Sequence, residues 1–284
     1  MKLIIILLLT TIFLLSVTKK EFRENYTNKQ INYYRKVWLH NDEIEAQFKL
    51  GKSLIDEFYR KLGKKGKVLN VGCGTATYLT TMEKKYPKFN YYGIDNDRSM
   101  VTEARSKCPM CKIEYGNVLD KNIFEPEDFD IVILAKETLH LIDFEHWNTL
   151  FFNINFWMRP HALLIINIYE PNKLDAGPED YSLMKPTKEG NKISSTFYDG
   201  FFHTAQFKPA KDNEFILEEV YKQGKKFNDY DTRFYVPSLK NSLEKIRNNG
   251  FELLKIDDMK KLSNTLDFKT YYFQKKIISN KVKH

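Results

Sequence analysis

The sequence contains little cysteine, glycine or proline. Its 284 residues include 3 Cys, 12 Gly and 9 Pro. Three cysteines are too few for the disulfide framework of a small secreted protein. Cys108 and Cys111 form a single CxxC pair, and no second pair supplies the other two ligands of a structural zinc site. We therefore expect no metal site, and we expect two ordinary thiols in this loop in preference to a disulfide.

The chain also lacks a block of like charge. Its 45 Lys and Arg and 37 Asp and Glu are spread along the sequence and leave a formal charge of +8. A mild, distributed excess is more typical of a lysine-rich solvated surface than of a nucleic-acid-binding face. Because 42% of the residues are hydrophobic, a chain of this length can bury a substantial core. The composition indicates a globular protein, and RNA stays an alternative partner.

One long hydrophobic run stands at the start of the sequence. Residues 3–18 carry no charge and are bounded by Lys2 and by Lys19 and Lys20. As a helix this run would be about 24 Å long, slightly shorter than a bilayer core of about 30 Å. Lysines that follow the run favour a cytoplasmic location for the remainder of the chain. We predict a single-pass membrane anchor over residues 1–18, with a cleaved secretory signal peptide as the alternative.

After a polar and aromatic cap segment at residues 19–50, short apolar runs alternate with amphipathic stretches. This alternation predicts a parallel sheet covered by helices. A turn-rich insertion at about residues 171–235 interrupts it, after which we predict a helix from Ser238, a stop at Gly250 and two further strands. The first five predicted strands are Val68–Val71, Tyr91–Ile94, Ile113–Tyr115, Asp130–Leu134 and Leu163–Tyr169.

The first predicted strand leads into the stretch KVLNVGCGTATYL, Lys67 to Leu79. Glycines at the end of a strand let backbone N–H groups approach a ligand beside the positive end of the next helix. A dinucleotide fingerprint needs a third glycine, but Gly74 is followed by Thr75, Ala76 and Thr77. The stretch therefore predicts a cofactor turn that does not hold a pyrophosphate.

KVLNVGCGTATYL resembles the first motif of the class I S-adenosylmethionine-dependent methyltransferases, and the small-molecule, type 11-like group in particular. The resemblance implies a Rossmann-like α/β fold with a seven-stranded, mostly parallel sheet, helices on both faces and an antiparallel last strand, here preceded by an N-terminal hydrophobic helix. It places the methyltransferase domain at residues 51–284. Further stretches match the family in order: YYGIDNDRSMVTEAR, IEYGNVLD, FDIVILAKETLHLID, MRPHALLIINIYE and NGFELLKI.

The resemblance implies S-adenosylmethionine as the cofactor and an acidic residue, Asp95, that accepts hydrogen bonds from its ribose. Three positions depart from the family pattern: Asn70 and Asn117 replace acids, and Ala76 replaces a glycine. These departures keep a catalytically silent, membrane-tethered cofactor-binding or scaffold protein as an alternative. The cofactor-binding residues that the resemblance implies are Asn70, Gly72, Gly74, Thr75, Asp95, Asn96, Asn117, Val118 and Ala135.

Methyl transfer from a sulfonium needs mainly positioning of the acceptor and removal of water. His140 lies where related enzymes often place a histidine near the acceptor, so it is the candidate catalytic residue, with ordinary packing as the alternative. We predict a small-molecule or lipid acceptor, with RNA methylation as the alternative. Candidate pocket residues are Tyr33, Tyr34 and Trp38 in the cap segment and Tyr198, Asp199 and His203 in the insertion.

Overall fold

A computed structural model of the chain describes residues 41–62, 65–169, 196–198, 201–210, 214–223, 226–258 and 269–276. The predicted anchor at residues 3–18 lies outside these residues, as do Tyr33, Tyr34, Trp38 and Asp199. Within the described ranges, no helix has the length and apolar character needed to cross a bilayer.

The centre of the fold is a seven-stranded sheet with the strand order β10-β11-β5-β4-β1-β2-β3. Strands β1 to β5 run parallel to one another, whereas β11 is antiparallel to both of its neighbours. The predicted mostly parallel, seven-stranded sheet is therefore confirmed, whereas the predicted N-terminal hydrophobic helix lies outside the described residues. The strands are β1 (Lys67–Val71), β2 (Asn90–Asp95), β3 (Lys112–Tyr115), β4 (Phe129–Leu134), β5 (Met158–Ile168), β10 (Phe251–Asp258) and β11 (Lys269–Lys275).

Helices cover both faces of this sheet, and they begin and end near capping residues and prolines in the sequence. The Asp97 side chain caps the third helix by accepting from the backbone N–H of Met100, and Ser238 caps the fifth in the same way. The second helix ends just before Pro87, which cannot continue it. The helices are α1 (Asn41–Leu62), α2 (Thr77–Lys85), α3 (Arg98–Lys107), α4 (Trp147–Trp157) and α5 (Leu239–Asn248).

Alternate residues of the central strands pack into two separate hydrophobic cores. In β4, Ile131 and Ile133 face the core under α1, α2 and α3, whereas Val132 and Leu134 face the core under α4 and α5. Every residue of β4 is buried. A strand that helices cover on both faces has a nearly continuous aliphatic sequence. This strand was predictable from sequence for that reason.

The insertion contributes a second sheet, which has four antiparallel strands in the order β6-β7-β8-β9. This sheet contacts the central domain where the backbone oxygen of Tyr235, the last residue of β9, meets the ring of His140. The insertion therefore reaches the carboxyl end of the central sheet. Its strands are β6 (Thr196–Tyr198), β7 (Phe201–Pro209), β8 (Glu214–Gln223) and β9 (Lys226–Tyr235).

Two details differ from the sequence-based expectations. The predicted boundary between cap segment and domain, at residues 50 and 51, falls inside the continuous helix α1. Cys108 and Cys111 form a disulfide, where two ordinary thiols were expected. The sequence spacing alone could not show this pairing, because it depends on how the chain turns between the end of α3 and the start of β3.

Candidate functional site

A tight turn joins β1 to α2 at the carboxyl end of the sheet. Gly72 and Gly74 both adopt positive φ angles, 62° and 51°. A Cβ atom on Gly72 would lie 2.5 Å from Cγ2 of Thr138, whereas a Cβ on Gly74 would meet no atom within 4 Å. Gly72 is thus required by the protein's own packing, while Gly74 leaves backbone exposed to an open space. Ala76 has a φ of 60°, a conformation that costs a residue with a Cβ roughly 1–2 kcal/mol.

The carboxylate of Asp95, at the end of β2, holds this turn in place. Its Oδ2 accepts a hydrogen bond from the Gly74 backbone N–H at 2.8 Å, and its Oδ1 accepts one from the Asp97 N–H at 3.0 Å. Burial raises the pKa of Asp95, and the hydrogen bonds from Asp97 and Gly74 oppose that rise. A carboxylate has about four acceptor positions. Asp95 therefore keeps acceptor capacity for ligand hydroxyls while it fixes the turn.

Asn70 supplies an acceptor without a partner. Its side chain is 2% exposed, and its Oδ1 is buried with no hydrogen-bond partner within the described structure. Leaving a buried polar atom unpaired costs about 1–3 kcal/mol. An N–H donor from a ligand would remove that cost. This orphan oxygen, the open space at Gly74 and the Asp95 carboxylate together fit a cofactor that carries an amine and ribose hydroxyls and no phosphate at the turn.

The remaining predicted cofactor residues lie along the same edge of the sheet. Thr75 is buried, with its Oγ1 3.2 Å from Oγ1 of Thr77. Asn96 and Asn117 are exposed at the ends of β2 and β3. The side chain of Asn117 accepts from the backbone N–H two residues further on, and the Val118 carbonyl accepts from Asn153. These residues border one region, and their contact with a cofactor stays a prediction.

The loop after β4 contacts the cofactor turn. Oγ1 of Thr138 lies 3.5 Å from the carbonyl oxygen of Gly72. Ala135 begins the loop and packs against the core under α1. The Lys136 backbone N–H donates to Oδ1 of buried Asn167 at 2.7 Å, and Nδ2 of Asn167 donates to Oγ1 of Thr270 at 2.9 Å. The loop is thereby attached to β5 and, through β5, to β11.

Two residues of this edge were not identified from sequence. The Tyr169 hydroxyl donates a hydrogen bond to Oε1 of Glu137 at 3.1 Å, and both side chains are partly exposed. This hydrogen bond joins the loop after β4 to the residue that follows β5. The available signal was a carboxylate inside a loop that follows a fully buried strand.

His140 is tied to its surroundings through both ring nitrogens. Its side chain has 0% exposure. Nδ1 lies 2.9 Å from the Tyr235 carbonyl oxygen, and Nε2 accepts from the Tyr169 backbone N–H at 3.0 Å. These partners define a neutral ring with the proton on Nδ1, and burial lowers the pKa of His140 to about 4. In this arrangement neither nitrogen is available to a substrate, so the geometry favours a positioning role over that of a base.

A small cavity lies beside the loop, on the face of the sheet that α1 covers. Its volume is about 10 Å³, roughly the space that one water molecule needs. Most of its wall is apolar, with Asn167 and Thr270 as polar contributions. Two other predicted pocket residues, Tyr198 and His203, lie in the insertion, on the paired strands β6 and β7 of the four-stranded sheet. The cavity walls are formed by Ile55, Tyr78, Ile133, Ala135, Ile165, Asn167, Thr270 and Tyr272.

Comparisons with known proteins find matches over parts of the chain. Residues 68–161 match the methyltransferase-domain family. The chain is 30% identical over 106 residues to carboxy-S-adenosyl-L-methionine synthase from Campylobacter hominis, covering 34% of this chain and 40% of that protein. It is 27% identical over 155 residues to phosphoethanolamine N-methyltransferase from Plasmodium falciparum, covering 53% and 56%. The chain therefore spans about half the length of the curated relatives it matches.

Solved structures support the fold over a longer part of the chain. An example is the S-adenosylmethionine-bound amino pentose methyltransferase CalS10 from Micromonospora echinaspora. It superposes with a TM-score of 0.62 at 12% identity and covers 89% of this chain and 99% of that protein. At this identity the likeness concerns the fold alone.

Proposed function

We propose that the chain transfers a methyl group from S-adenosylmethionine to a small molecule, from the premise that residues 68–161 match the methyltransferase-domain family. The single observation that carries the proposal is the Asp95 carboxylate, which is bonded to the Gly74 N–H across the end of the sheet. It places an acceptor-only group beside an open glycine turn. The curated relatives are named for small-molecule chemistry, which agrees with this substrate class.

Different residues of the site would bind different parts of the cofactor. Asp95 and the backbone at Gly74 would hold the ribose end of the cofactor, and Asn70 Oδ1 would accept from its amine. When bound, S-adenosylmethionine supplies a methyl group on a positively charged sulfur. The loop from Ala135 to Thr138 would border the acceptor, since it contacts the turn and is fixed by Asn167. Holding the acceptor in line and excluding water is the main contribution of the protein.

Isothermal titration calorimetry of the full chain with S-adenosylmethionine and with its demethylated product tests the proposal. We expect saturable binding of both. Asp95→Ala should weaken binding by about 1.5–3 kcal/mol, the range for hydrogen bonds to a charged group. Glu125→Gln, which removes an exposed carboxylate in the loop that precedes β4, should leave the affinity unchanged. Absence of heat with both ligands would favour the silent scaffold instead.

Transfer itself is tested with a deuterium-labelled methyl donor and a metabolite extract. We expect label in low-molecular-weight products by mass spectrometry. Label recovered only in RNA or in the lipid fraction would refute the proposed small-molecule acceptor.

Membrane attachment through residues 3–18 is a separate proposal that rests on the sequence alone. Cell fractionation should place the full chain in the membrane fraction and a chain starting at Lys19 in the supernatant. The body of the chain is proposed to be cytoplasmic, where the methyl donor is made. Glycosylation of Asn25, which lies in an Asn-Tyr-Thr sequon, would contradict that orientation.

A further inference from the structure

A disulfide closes the loop between α3 and β3. It joins Cys108 to Cys111, whose Cα atoms lie 5.3 Å apart, within the usual range for this bond. The Cys111 backbone N–H also donates to the Cys108 carbonyl oxygen at 2.9 Å. Cys108 has 0% exposure and Cys111 has 8%, but Met110 between them is 79% exposed. The loop therefore lies at the surface, where a small thiol reagent can reach it.

Two contacts join this loop to the elements that form the cofactor turn. Nζ of Lys107, the residue before Cys108, lies 3.4 Å from Oγ1 of Thr75 in the turn. Sγ of Cys108 lies 3.7 Å from Oε2 of Glu83 in α2, the helix that follows the turn. Because Thr75 directly follows Gly74, a shift of the loop acts on the glycine turn itself.

The contact between Lys107 and Thr75 depends on the position of the end of α3. Thr75 is 1% exposed, and an ammonium that donates to its hydroxyl forms a charge-assisted hydrogen bond. Lys107 also lies 3.7 Å from Glu103, one turn earlier in the same helix. If the end of α3 moves, Glu103 moves with Lys107 and their ion pair persists. The contact with Thr75 is lost, because Thr75 belongs to a different element.

We propose that the Cys108–Cys111 pair is a redox switch for the cofactor turn, with the disulfide form binding S-adenosylmethionine more tightly than the dithiol form. This inference rests on the proposed function and concerns the regulation of the same site. The disulfide keeps Lys107 within reach of Thr75. Reduction removes this constraint and gives Cys108 a proton that it can donate to Glu83. Disulfides in reducing compartments are usually transient or redox-sensing, which agrees with the proposed cytoplasmic location.

Thiol–disulfide exchange is the chemistry of this switch. A thiolate of an external dithiol attacks Sγ of Cys111, the more exposed cysteine, and forms a mixed disulfide. The sulfur of Cys108 leaves as a thiolate and takes up a proton. The second thiolate of the reagent then attacks the reagent sulfur of the mixed disulfide, and Cys111 leaves and is protonated. The dithiol is oxidised to a disulfide, the protein pair gains two electrons, and two protons pass to the cysteines.

The test is calorimetric titration of the full chain with S-adenosylmethionine after equilibration with oxidised or reduced dithiothreitol. Thiol labelling and mass spectrometry report the state of the pair. The disulfide form should bind about twofold to tenfold more tightly, which is the effect of one hydrogen bond. Lys107→Met should bind with one affinity in both states, close to that of the reduced wild type.

Two controls separate the switch from other effects of the reagent. The double variant Cys108→Ser with Cys111→Ser should bind with an affinity that neither reagent changes. Lys84→Met, which removes an exposed lysine at the end of α2, should keep the wild-type difference. Since linkage is reciprocal, saturating S-adenosylmethionine should make the disulfide harder to reduce by the same factor, measured in dithiothreitol redox buffers.

The outcomes distinguish this inference from the proposed function. Equal affinities of the two wild-type forms would overturn the switch while the proposed function stood. The same holds for a redox effect that persists in Lys107→Met, or for a pair that stays reduced in excess oxidised dithiothreitol. A wild-type chain that binds S-adenosylmethionine in neither redox state would overturn both.

Discussion

Replacing His140 by glutamine tests whether this imidazole is a buried, neutral structural tie. Burial holds the pKa of His140 at about 4, against an ordinary value of 6.5. In the unfolded chain the ring takes up a proton below its ordinary pKa, whereas the folded protein resists this until about pH 4. The neutral state of this ring contributes its full share to the free energy of unfolding above about pH 6.5, and that share is lost as the pH falls towards 4.

The size of this effect follows from the two pKa values. Each unit of pKa difference corresponds to 1.36 kcal/mol, so the full loss is about 3 kcal/mol. In His140→Gln this pH-dependent part disappears. The variant should also be less stable than the wild type near neutral pH by about 1–3 kcal/mol, because the Tyr235 carbonyl and the Tyr169 N–H lose a well-placed partner.

The assay is urea unfolding of the full chain at several pH values between about 7 and about 4.5. The difference between wild type and His140→Gln should shrink as the pH falls, since other titrating groups cancel in the comparison. His146→Gln, which changes an exposed histidine, should track the wild type. Parallel curves for wild type and His140→Gln would refute the buried, neutral state and would restore His140 as a candidate base.

Two further substitutions test how the site is supported. Gly93→Ala would place a Cβ 2.8 Å from the Cys73 sulfur and from Cδ1 of Ile113. We expect the free energy of unfolding, measured by chemical denaturation, to fall by about 1–3 kcal/mol. The double variant with Cys73→Ala should recover part of this loss, and no recovery would refute the contact. Asp130→Ala removes a buried carboxylate that accepts a hydrogen bond from Arg159 at 2.7 Å. The free energy of unfolding should fall by about 1–3 kcal/mol, while the affinity for S-adenosylmethionine should stay unchanged. Weaker cofactor binding would contradict a purely structural role.

The central sheet was predictable because burial on both faces leaves a plain signature. The aliphatic runs in β1, β4 and β5 correspond to strands that the sequence places within a few residues. Strand β5 begins earlier than predicted, at Met158, since it extends through Pro160 and through His161 at a φ of 64°. Proline and a left-handed residue do not favour a strand locally, so the pairing with β4 decides this boundary.

The site was predictable where it depends on local chain geometry and less so where it depends on distant partners. The glycine turn and the acid at the end of β2 follow from motif and spacing. The bond from Gly74 to Asp95 joins residues 21 positions apart, and the bond from Tyr169 to Glu137 joins residues 32 apart. Such pairs depend on strand register, which one sequence does not specify. The same holds for His140, whose partner Tyr235 is 95 residues away.

The position of β11 has a consequence for the order in which the chain can fold. Among the described strands β11 is synthesised last, yet it lies between β5 and β10 and pairs with both. Until it emerges from the ribosome, one edge of β5 has no neighbour and Asn167 lacks the Thr270 hydroxyl that it binds. The same asparagine accepts the hydrogen bond that fixes the loop after β4. A nascent chain can thus complete its cofactor turn well before its acceptor side acquires a fixed shape.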